Sequence, residues 1–485
     1  MKEKFSPVSS QEKLSIPNPH INKWLVTATL LLGSIIAVMD TTIVNIAIPQ
    51  IQTDLGASID EISSLATFYI ISNVIVMPLT GYLNAFWGRK KFYAGAIILF
   101  TVCSLLCGLA WNLPTLVFFR ILQGLGAGAL LPTAQAILLE TFPQEQHGKA
   151  MSILGLGVLL GPTIGPVLGG YLTSTVGWRA IFAINVPIGI IAAVMVFLFI
   201  HNPPYLNKPQ GKFDWVGLIA LIIGLSSLQY ALENGQRQNW LESKLIVSLL
   251  LVGVVAITCL VWWELVIRYP IIDLTVFGNR TFIAGNILGT LTGFMLFAIL
   301  FITPLFLSQI LHYNSLQTGM VLMPGTLATT LVMPIAGLLA DRLDPRIPIA
   351  IGIAICSGGT WQLSDLTPQS SYWDIFWPQI WRGLGLGLVF VPMSSTTVGN
   401  VNKAKRASAS GLFNLLHQLG GSVGIAGLTI MLQYLQAFHL SPIDQNVKPQ
   451  ALAATLAYSD MFRYSTLIFL VSYLPLLFLR VRRKA

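Results

Sequence analysis

Val76-Met77-Pro78-Leu79-Thr80-Gly81-Tyr82-Leu83 closes an apolar run and enters a basic loop, and 256 residues later Val332-Met333-Pro334-Ile335-Ala336-Gly337-Leu338-Leu339 does the same. A second match, Gly124-Leu125-Gly126-x-Gly128 with Gly383-Leu384-Gly385-x-Gly387, is offset by 259. Apolar helices share Gly and Leu in any case. Two collinear matches at nearly equal offsets nevertheless point to a chain built from two related copies.

The surroundings of these stretches bound the fold class. The 485-residue chain is 54% apolar and 10% charged, with mean hydropathy +0.72. Soluble domains carry roughly 25% charged residues, so a water-soluble reading would need a core beyond what surface-to-volume scaling allows. The net charge of +9 raises nucleic acid as a partner, but the basic residues form short clusters between apolar runs and no basic face. That pattern belongs to membrane orientation, with no nucleic acid expected. Cys103, Cys107, Cys259 and Cys356 fall inside apolar segments without metal-ligand spacing, and read as small packing residues. Residues 1–20 are polar and hold no apolar h-region, so the first apolar run is expected to act as an uncleaved signal anchor.

A membrane-crossing helix needs about 20 mostly apolar residues. The sequence offers fourteen such spans, at 24–48, 62–83, 92–110, 114–139, 150–172, 180–200, 214–232, 244–266, 282–308, 317–340, 347–364, 374–398, 408–434 and 462–480. An even number puts both termini on one side. Of the 28 Lys and Arg, 21 fall in the tails and the even-to-odd loops, Arg120 and Arg382 lie within spans, and five (Arg179, Arg237, Lys244, Lys448, Arg463) fall opposite. Clusters such as Arg89-Lys90-Lys91, Lys403-Lys405-Arg406 and Arg482-Arg483-Lys484 mark the first side as the cytoplasm. Aligning the two copies leaves spans seven and eight as an insert. The expected architecture is an all-α membrane protein of 14 transmembrane helices in a 6+2+6 arrangement. It has a cytoplasmic tail (1–23), a first half (24–200), an insert with linkers (201–280), a second half (281–480) and a basic cytoplasmic tail (481–485). Duplicated halves are typical of secondary transporters, whose binding site lies near the midplane between the repeats.

Five stretches in order then resemble the major facilitator superfamily, specifically its 14-helix drug:proton antiporter branch of the EmrB/QacA type. They are Met39-Asp40-Thr41-Thr42-Ile43-Val44-Asn45, Arg120-x-x-Gln123-Gly124, Gly157-x-x-x-Gly161-x-x-x-Gly165-Pro166-x-x-Gly169-Gly170, Trp178-Arg179 with Asn185-Val186-Pro187-Ile188-Gly189, and Pro270-Ile271-Ile272-Asp273-Leu274. Trp377-Pro378-Gln379 and the polar loop before the last span resemble the EmrB side more. The resemblance implies the major-facilitator fold, a multi-pass place in the inner membrane, and export of small molecules driven by the proton gradient without a cofactor or metal. It also implies a periplasmic adaptor and an outer-membrane channel as partners.

One motif departs from the family. The loop after the second span usually reads G-x-L-x-D-R-x-G-R-K. Gly81, Leu83, Gly88, Arg89 and Lys90 fit it, but Ala85 and Phe86 stand at the Asp and Arg positions. The second copy has Gly337 and keeps Asp341-Arg342, with Asp344 in place of the second Gly. In the family that Asp resembles a cytoplasmic latch, so Asp341 is expected to hold the surviving copy.

Carboxylates inside spans are costly, about 2.5–3.5 kcal/mol at a helix centre on insertion scales, and are functional suspects by default. Asp40 lies about 13 Å below the outer end of the first span, and Arg120 about 10 Å below the outer end of the fourth, at 1.5 Å per residue. Similar depth predicts that they interact, directly or through a polar neighbour. A desolvated carboxyl can hold a proton that an approaching cation or rearranged Arg expels, which would make substrate and proton compete. A static structural ion pair is the alternative.

Gly157, Gly161, Gly165 and Gly169 recur every four residues and make one smooth stripe on the fifth span, suited to close helix approach. With Pro162 and Pro166 favouring a bend, the span is expected to gate between the halves. Plain close packing rests on the same physics. His417, with Asn414 and Gln418, lies in the middle of the thirteenth span; it could titrate near pH 6.5 or hydrogen-bond a neighbouring helix. Arg382, near the position equivalent to Gln123, is either an anion site or, by default, a satisfied interhelical donor. Phe294, Phe297 and Phe301 could wall a hydrophobic cavity, although a lipid- or helix-facing stripe is the default. Asn45 and Gln123 complete the set of cavity candidates. Glu264 beside Trp262 and Trp263 reads as an interface anchor.

Three functions compete: a proton antiporter exporting hydrophobic or amphiphilic compounds, a dedicated exporter of one metabolite such as a siderophore or fatty acid, and a non-transporting membrane enzyme or sensor. Enzymes need converging nucleophiles, acid/base pairs or metal ligands, and six scattered histidines without HExxH or a phosphate loop argue against one.

Overall fold

The computed structural model describes residues 22–206, 208–209, 211–440 and 449–479. Residues 1–21 of the expected 1–23 tail, the basic tail at 481–485, Lys448 and the side chain of Pro166 lie outside the described part. Among the described residues there are sixteen α-helices: α1 (Lys23–Leu55), α2 (Ile59–Trp87), α3 (Arg89–Gly108), α4 (Leu113–Thr141), α5 (His147–Thr175), α6 (Arg179–Ala183), α7 (Asn185–Phe199), α8 (Trp215–Asn234), α9 (Lys244–Val266), α10 (Arg280–Gln309), α11 (Ser315–Arg342), α12 (Arg346–Gln362), α13 (Tyr372–Gly399), α14 (Arg406–Leu440), α15 (Pro449–Leu470) and α16 (Tyr473–Leu477).

Local sequence sets their ends. Ser58 and Glu61 form a capping box at α2, Asn314 and Gln317 one at α11, and Ser371 and Asp374 one at α13. Each answers backbone N–H groups that the first turn leaves free. Among the described residues, twelve helices are long and apolar enough to cross a membrane. The spans expected at 374–398 and 462–480 fall on α13 and on α15 with α16, which are not among the twelve. The helix carrying the last expected span starts at Pro449 and is interrupted at Val471–Ser472, because Pro475 has no N–H to return to the Val471 carbonyl. The same physics divides α6 from α7, where Pro187 cannot donate to Ala183.

The repeated glycines act alike in both copies. A Cβ on Gly124 or Gly128 would strike Ser72 or Asn73 of α2, and one on Gly383 or Gly387 would strike Gly325 or Val332 of α11. Gly126 faces Ala96 and Phe100 of α3, and Gly385 faces Gly352 and Cys356 of α12. So α4 and α13 seat two neighbours each in one register, with alternate glycines letting the backbones close.

Gly81 and Gly337, from the stretch that reveals the duplication, lie where the two groups of helices meet. A Cβ on Gly81 would collide with Ser408 of α14, and one on Gly337 would lie 2.6 Å from the Gly148 carbonyl of α5. This seam is closed on the Lys/Arg-rich side. Thr80 Oγ1 donates to the Ala407 carbonyl at 3.2 Å, and Ser410 Oγ and Asn414 Nδ2 donate to Gln135 Oε1 at 2.5 and 2.7 Å. Buried Arg406 donates to the Leu139 carbonyl of α4 and, at 3.3 Å, to the Gly399 carbonyl of α13. Both carbonyls lie in last turns, where the helix dipole favours a cation.

α8 packs against both α2 and α14, and Gln229 Nε2 reaches Ser422 Oγ of α14 at 2.8 Å. α9 packs on α8 and exposes Leu251, Val254, Val255 and Trp262 on its outer side. Glu264 differs from its expected role as an interface anchor: it is buried and accepts the Ile272 amide at 3.4 Å, fixing the Pro270–Leu274 stretch to α9.

Candidate functional site

Five helices deliver one buried polar cluster. Asp40 of α1 is 0% exposed, and its Oδ2 accepts Nη1 of Arg120 from α4 at 2.5 Å. Its Oδ1 accepts two amide groups at 3.0 Å each, Nε2 of Gln123, one turn below Arg120, and Nδ2 of Asn185. Asn185 opens α7, so the proline-induced break delivers its side chain to α1. Gln123 Oε1 accepts Arg120 Nη1 at 2.8 Å, and Ser104 Oγ of α3 accepts Asn185 Nδ2 at 3.1 Å. The Tyr69 ring of α2 covers the guanidinium, its centroid 4.0 Å from Cζ.

The electrostatics follow from that enclosure. An isolated carboxylate or guanidinium in this setting would carry a large desolvation penalty, which opposite charges at hydrogen-bond distance and extra donors offset. Removing the negative charge by protonation leaves Arg120 without a counterion in a water-poor site. Arg120 Nε and Asn185 Oδ1 have no partner among the described residues, so the cluster retains capacity to rearrange. No group of three or more His, Cys, Asp or Glu able to hold a metal occurs among the described residues.

The structure thus joins Asp40, Arg120 and Gln123, and Gln123 belongs to this network. Asn45, by contrast, is exposed on α1. The fifth-span stripe lies along α1, within the first group of helices: Cβ atoms on Gly161 and Gly169 would approach Met39 N to 2.9 Å and Ile43 Cγ1 to 2.8 Å, while those on Gly157 and Gly165 would meet Leu31 and Thr42. Gly170 faces open space. The opposite face of α5 meets the second group, at Gly148 and Gly155.

At that seam Asp341 Oδ1 accepts Gly148 N–H at 2.7 Å, and Oδ2 accepts Lys149 N–H at 2.9 Å. Arg342 is exposed. Gly88 turns the chain with φ +81°, Lys90 N–H donates to Asn202 at 3.0 Å, and buried Arg89 pairs with Glu140. Nothing acidic occupies the Ala85 position, and Phe86 is exposed.

The other cavity candidates separate. Asn414 bridges the seam to Gln135. His417 Nδ1 lies 2.9 Å from the Gly289 carbonyl of α10, among Phe297, Phe390 and Phe413. Phe294 and Phe297 pack on Gly424 and Gly421 of α14, Phe301 is exposed, and Gln418 is half-buried. Arg382 is buried yet makes no hydrogen bond or ion pair among the described residues, which removes its default reading as a satisfied donor.

Sequence reasoning missed Tyr69, Ser104 and Gln135, and quoted Asn185 without giving it a role. Their signal was a polar or amphipathic side chain inside an apolar span, but Ser, Tyr and Gln in spans are too common to single out. Half-buried Glu233, hydrogen-bonded by Gln229 at 2.9 Å, lies one residue beyond an expected span boundary and so escaped the search for intramembrane acids.

Residues 30–425 match the Major Facilitator Superfamily. The chain is 33% identical to the multidrug export protein EmrB of Haemophilus influenzae, over 91% of this chain and 86% of that protein. It is 32% identical to the fatty acid resistance protein FarB of Neisseria gonorrhoeae, over 87% and 83%. In fold it is similar to the proton:xylose symporter XylE, with a TM-score of 0.62 at 14% identity, covering 92% of this chain and 94% of that one.

Proposed function

We propose that this chain, which belongs to the Major Facilitator Superfamily, exports hydrophobic and amphiphilic compounds across the inner membrane in exchange for protons, by alternating access. It is a multi-pass transporter and not an enzyme. The observation that carries the proton-coupled reading is the fully buried Asp40–Arg120 contact at 2.5 Å. Intramembrane ionisable pairs of this kind serve proton relays in pumps and transporters.

The two halves and their two-helix insert, with the boundaries expected above, are the moving parts of this proposal. Protonation of Asp40 removes the charge that holds Arg120, Gln123 and Asn185, and α1 is then free to shift. The glycine stripe seats α5 directly on α1, so a shift of α1 moves α5, whose first turn is the ledge gripped by Asp341. Proton site and cytoplasmic latch thereby bias one two-state element, the physical requirement for coupling. Two relatives are named for multidrug export and for fatty acid resistance, which supports an amphiphilic cargo. A periplasmic adaptor and an outer-membrane channel complete the export route in this reading.

The test is uptake into proteoliposomes under an imposed pH gradient, across a panel of drugs, fatty acids and a siderophore. Gradient-dependent accumulation of several chemically unrelated amphiphiles is expected. Movement of one metabolite alone would replace multidrug export by a dedicated exporter, and movement of none would remove the transport reading.

A further inference from the structure

The repeat aligns two residue pairs whose chemistry is the same and whose order is exchanged. At the 259-residue offset that superposes Gly124 on Gly383, Arg120 corresponds to Gln379 and Gln123 to Arg382. In the first copy Asp40 answers both donors. In the second, Gln379 is 0% exposed with neither amide atom partnered, and Arg382 is 7% exposed with Nη1 unpartnered.

Among the described residues, no acid of the second copy answers them; Asp444 lies outside the described part. α10, α12 and α14 contain no Asp or Glu. Asp341 holds the α5 amides, Asp374 caps α13 at Ser371, Asp460 pairs with His439 and Arg463, Asp344 accepts the Arg346 amide, and Asp365 is exposed. A guanidinium without a counterion and an amide without partners are each costly when buried. The segment is also held firmly. A Cβ on Gly325 of α11 would lie 2.8 Å from the Gln379 carbonyl oxygen, and one on Gly359 of α12 would lie 2.8 Å from the Arg382 nitrogen. The two side chains are three residues apart on one helix and so are neighbours on its surface.

We propose that Gln379 and Arg382 form a binding site for a carboxylate-type anion, which completes in the second copy the donor set that Asp40 completes in the first. The anion is either the head of an amphiphilic cargo molecule or a small free anion; the first source rests on the transport reading, the second does not. The guanidinium offers the fork that suits a carboxylate, and Gln379 adds a fixed neutral donor, as Gln123 does for Asp40.

The test measures thermal protection of the purified full chain in chloride-free buffer, titrated with decanoate, acetate, chloride and decyltrimethylammonium. Decanoate is expected to protect the wild type. Arg382→Gln is expected to lower its apparent affinity roughly 10- to 100-fold, the loss of one charged hydrogen-bonding partner, while decyltrimethylammonium responds alike in both. Protection by acetate or chloride as strong as by decanoate assigns the site to a free anion and still supports it. A wild type indifferent to all the anions overturns the proposal, as does an Arg382→Gln protein that answers decanoate like the wild type or loses the cation equally. Should Arg382→Gln fail to fold, Gln379→Met carries the test: a several-fold weaker decanoate response is expected, and an unchanged one overturns the site. These are binding readouts, so failure of gradient-driven uptake would remove the transport reading and leave this site standing.

Discussion

Asp341 accepts the Gly148 amide at 2.7 Å, and with it the neighbouring Lys149 amide at 2.9 Å, so one carboxylate of the second copy caps the first turn of α5 in the first copy. Helix N-termini favour anions because their first N–H groups lack intrahelical partners. The corresponding place in the first copy is Ala85, so this cap has no acidic twin. Arg406, through the Leu139 and Gly399 carbonyls, ties the other side of the seam.

Asp341→Ala is therefore expected to loosen the whole seam and not only its own site. Charged hydrogen bonds contribute about 1.5–3 kcal/mol, less where partly exposed as here. Hydrogen exchange read by mass spectrometry is expected to quicken by roughly tenfold for about 1.4 kcal/mol, both at Gly148 and Lys149 and across the seam at Ala407–Gly411. Faster exchange at α5 alone would mean that the two sides of the seam open independently.

The α5 stripe separates a tolerated glycine from an intolerant one. A Cβ at Gly161 would press on the Met39 backbone at 2.9 Å, and backbone cannot step aside as a flexible side chain can. Gly161→Ala is expected to destabilise by about 1–3 kcal/mol through overpacking and to depress transport, since it forces α5 off the helix that carries Asp40. Gly170→Ala meets open space and should be neutral or stabilising by up to about 1 kcal/mol. Thermal melts of the two variants side by side check this, and equal melting temperatures would contradict the packing argument.

Asn185→Leu tests a residue that sequence reading left without a role. It removes one of the two amide donors on Asp40 Oδ1 and the bond to Ser104. A loss of about 1–3 kcal/mol is expected for a buried acceptor left short of a partner. Melting temperature and the pH profile of gradient-driven uptake should both shift; a profile identical to wild type would confine Asn185 to structure.

How much of this was legible beforehand depended on the range of the signal. Helix positions and duplication were legible because apolar runs and the Val76–Leu83 and Val332–Leu339 repeat are written locally along the chain. The Asp40–Arg120 contact was legible because two opposite charges at equal depth in a membrane leave few other solutions. Asn185 was not, because its approach to Asp40 depends on where Pro187 breaks the helix. The stripe facing α1, and not the seam, was hidden for a related reason: four glycines reveal a smooth face but not the neighbour it receives. For Arg382 the sequence left an anion site and a satisfied donor open, with the second as default because helices in contact usually supply a partner; only the packed neighbours reveal that none does among the described residues.

The central claim, that Asp40 exchanges the proton that drives export, is tested most directly by Asp40→Asn in proteoliposomes, with uphill accumulation and gradient-free counterflow measured on one preparation. The side chain stays nearly isosteric and can still accept from Gln123 or Arg120, so the fold and the alternating step should persist. The account predicts that counterflow survives while pH-driven uphill accumulation is lost. An Asp40→Asn protein that still concentrates its cargo uphill under the pH gradient would contradict it.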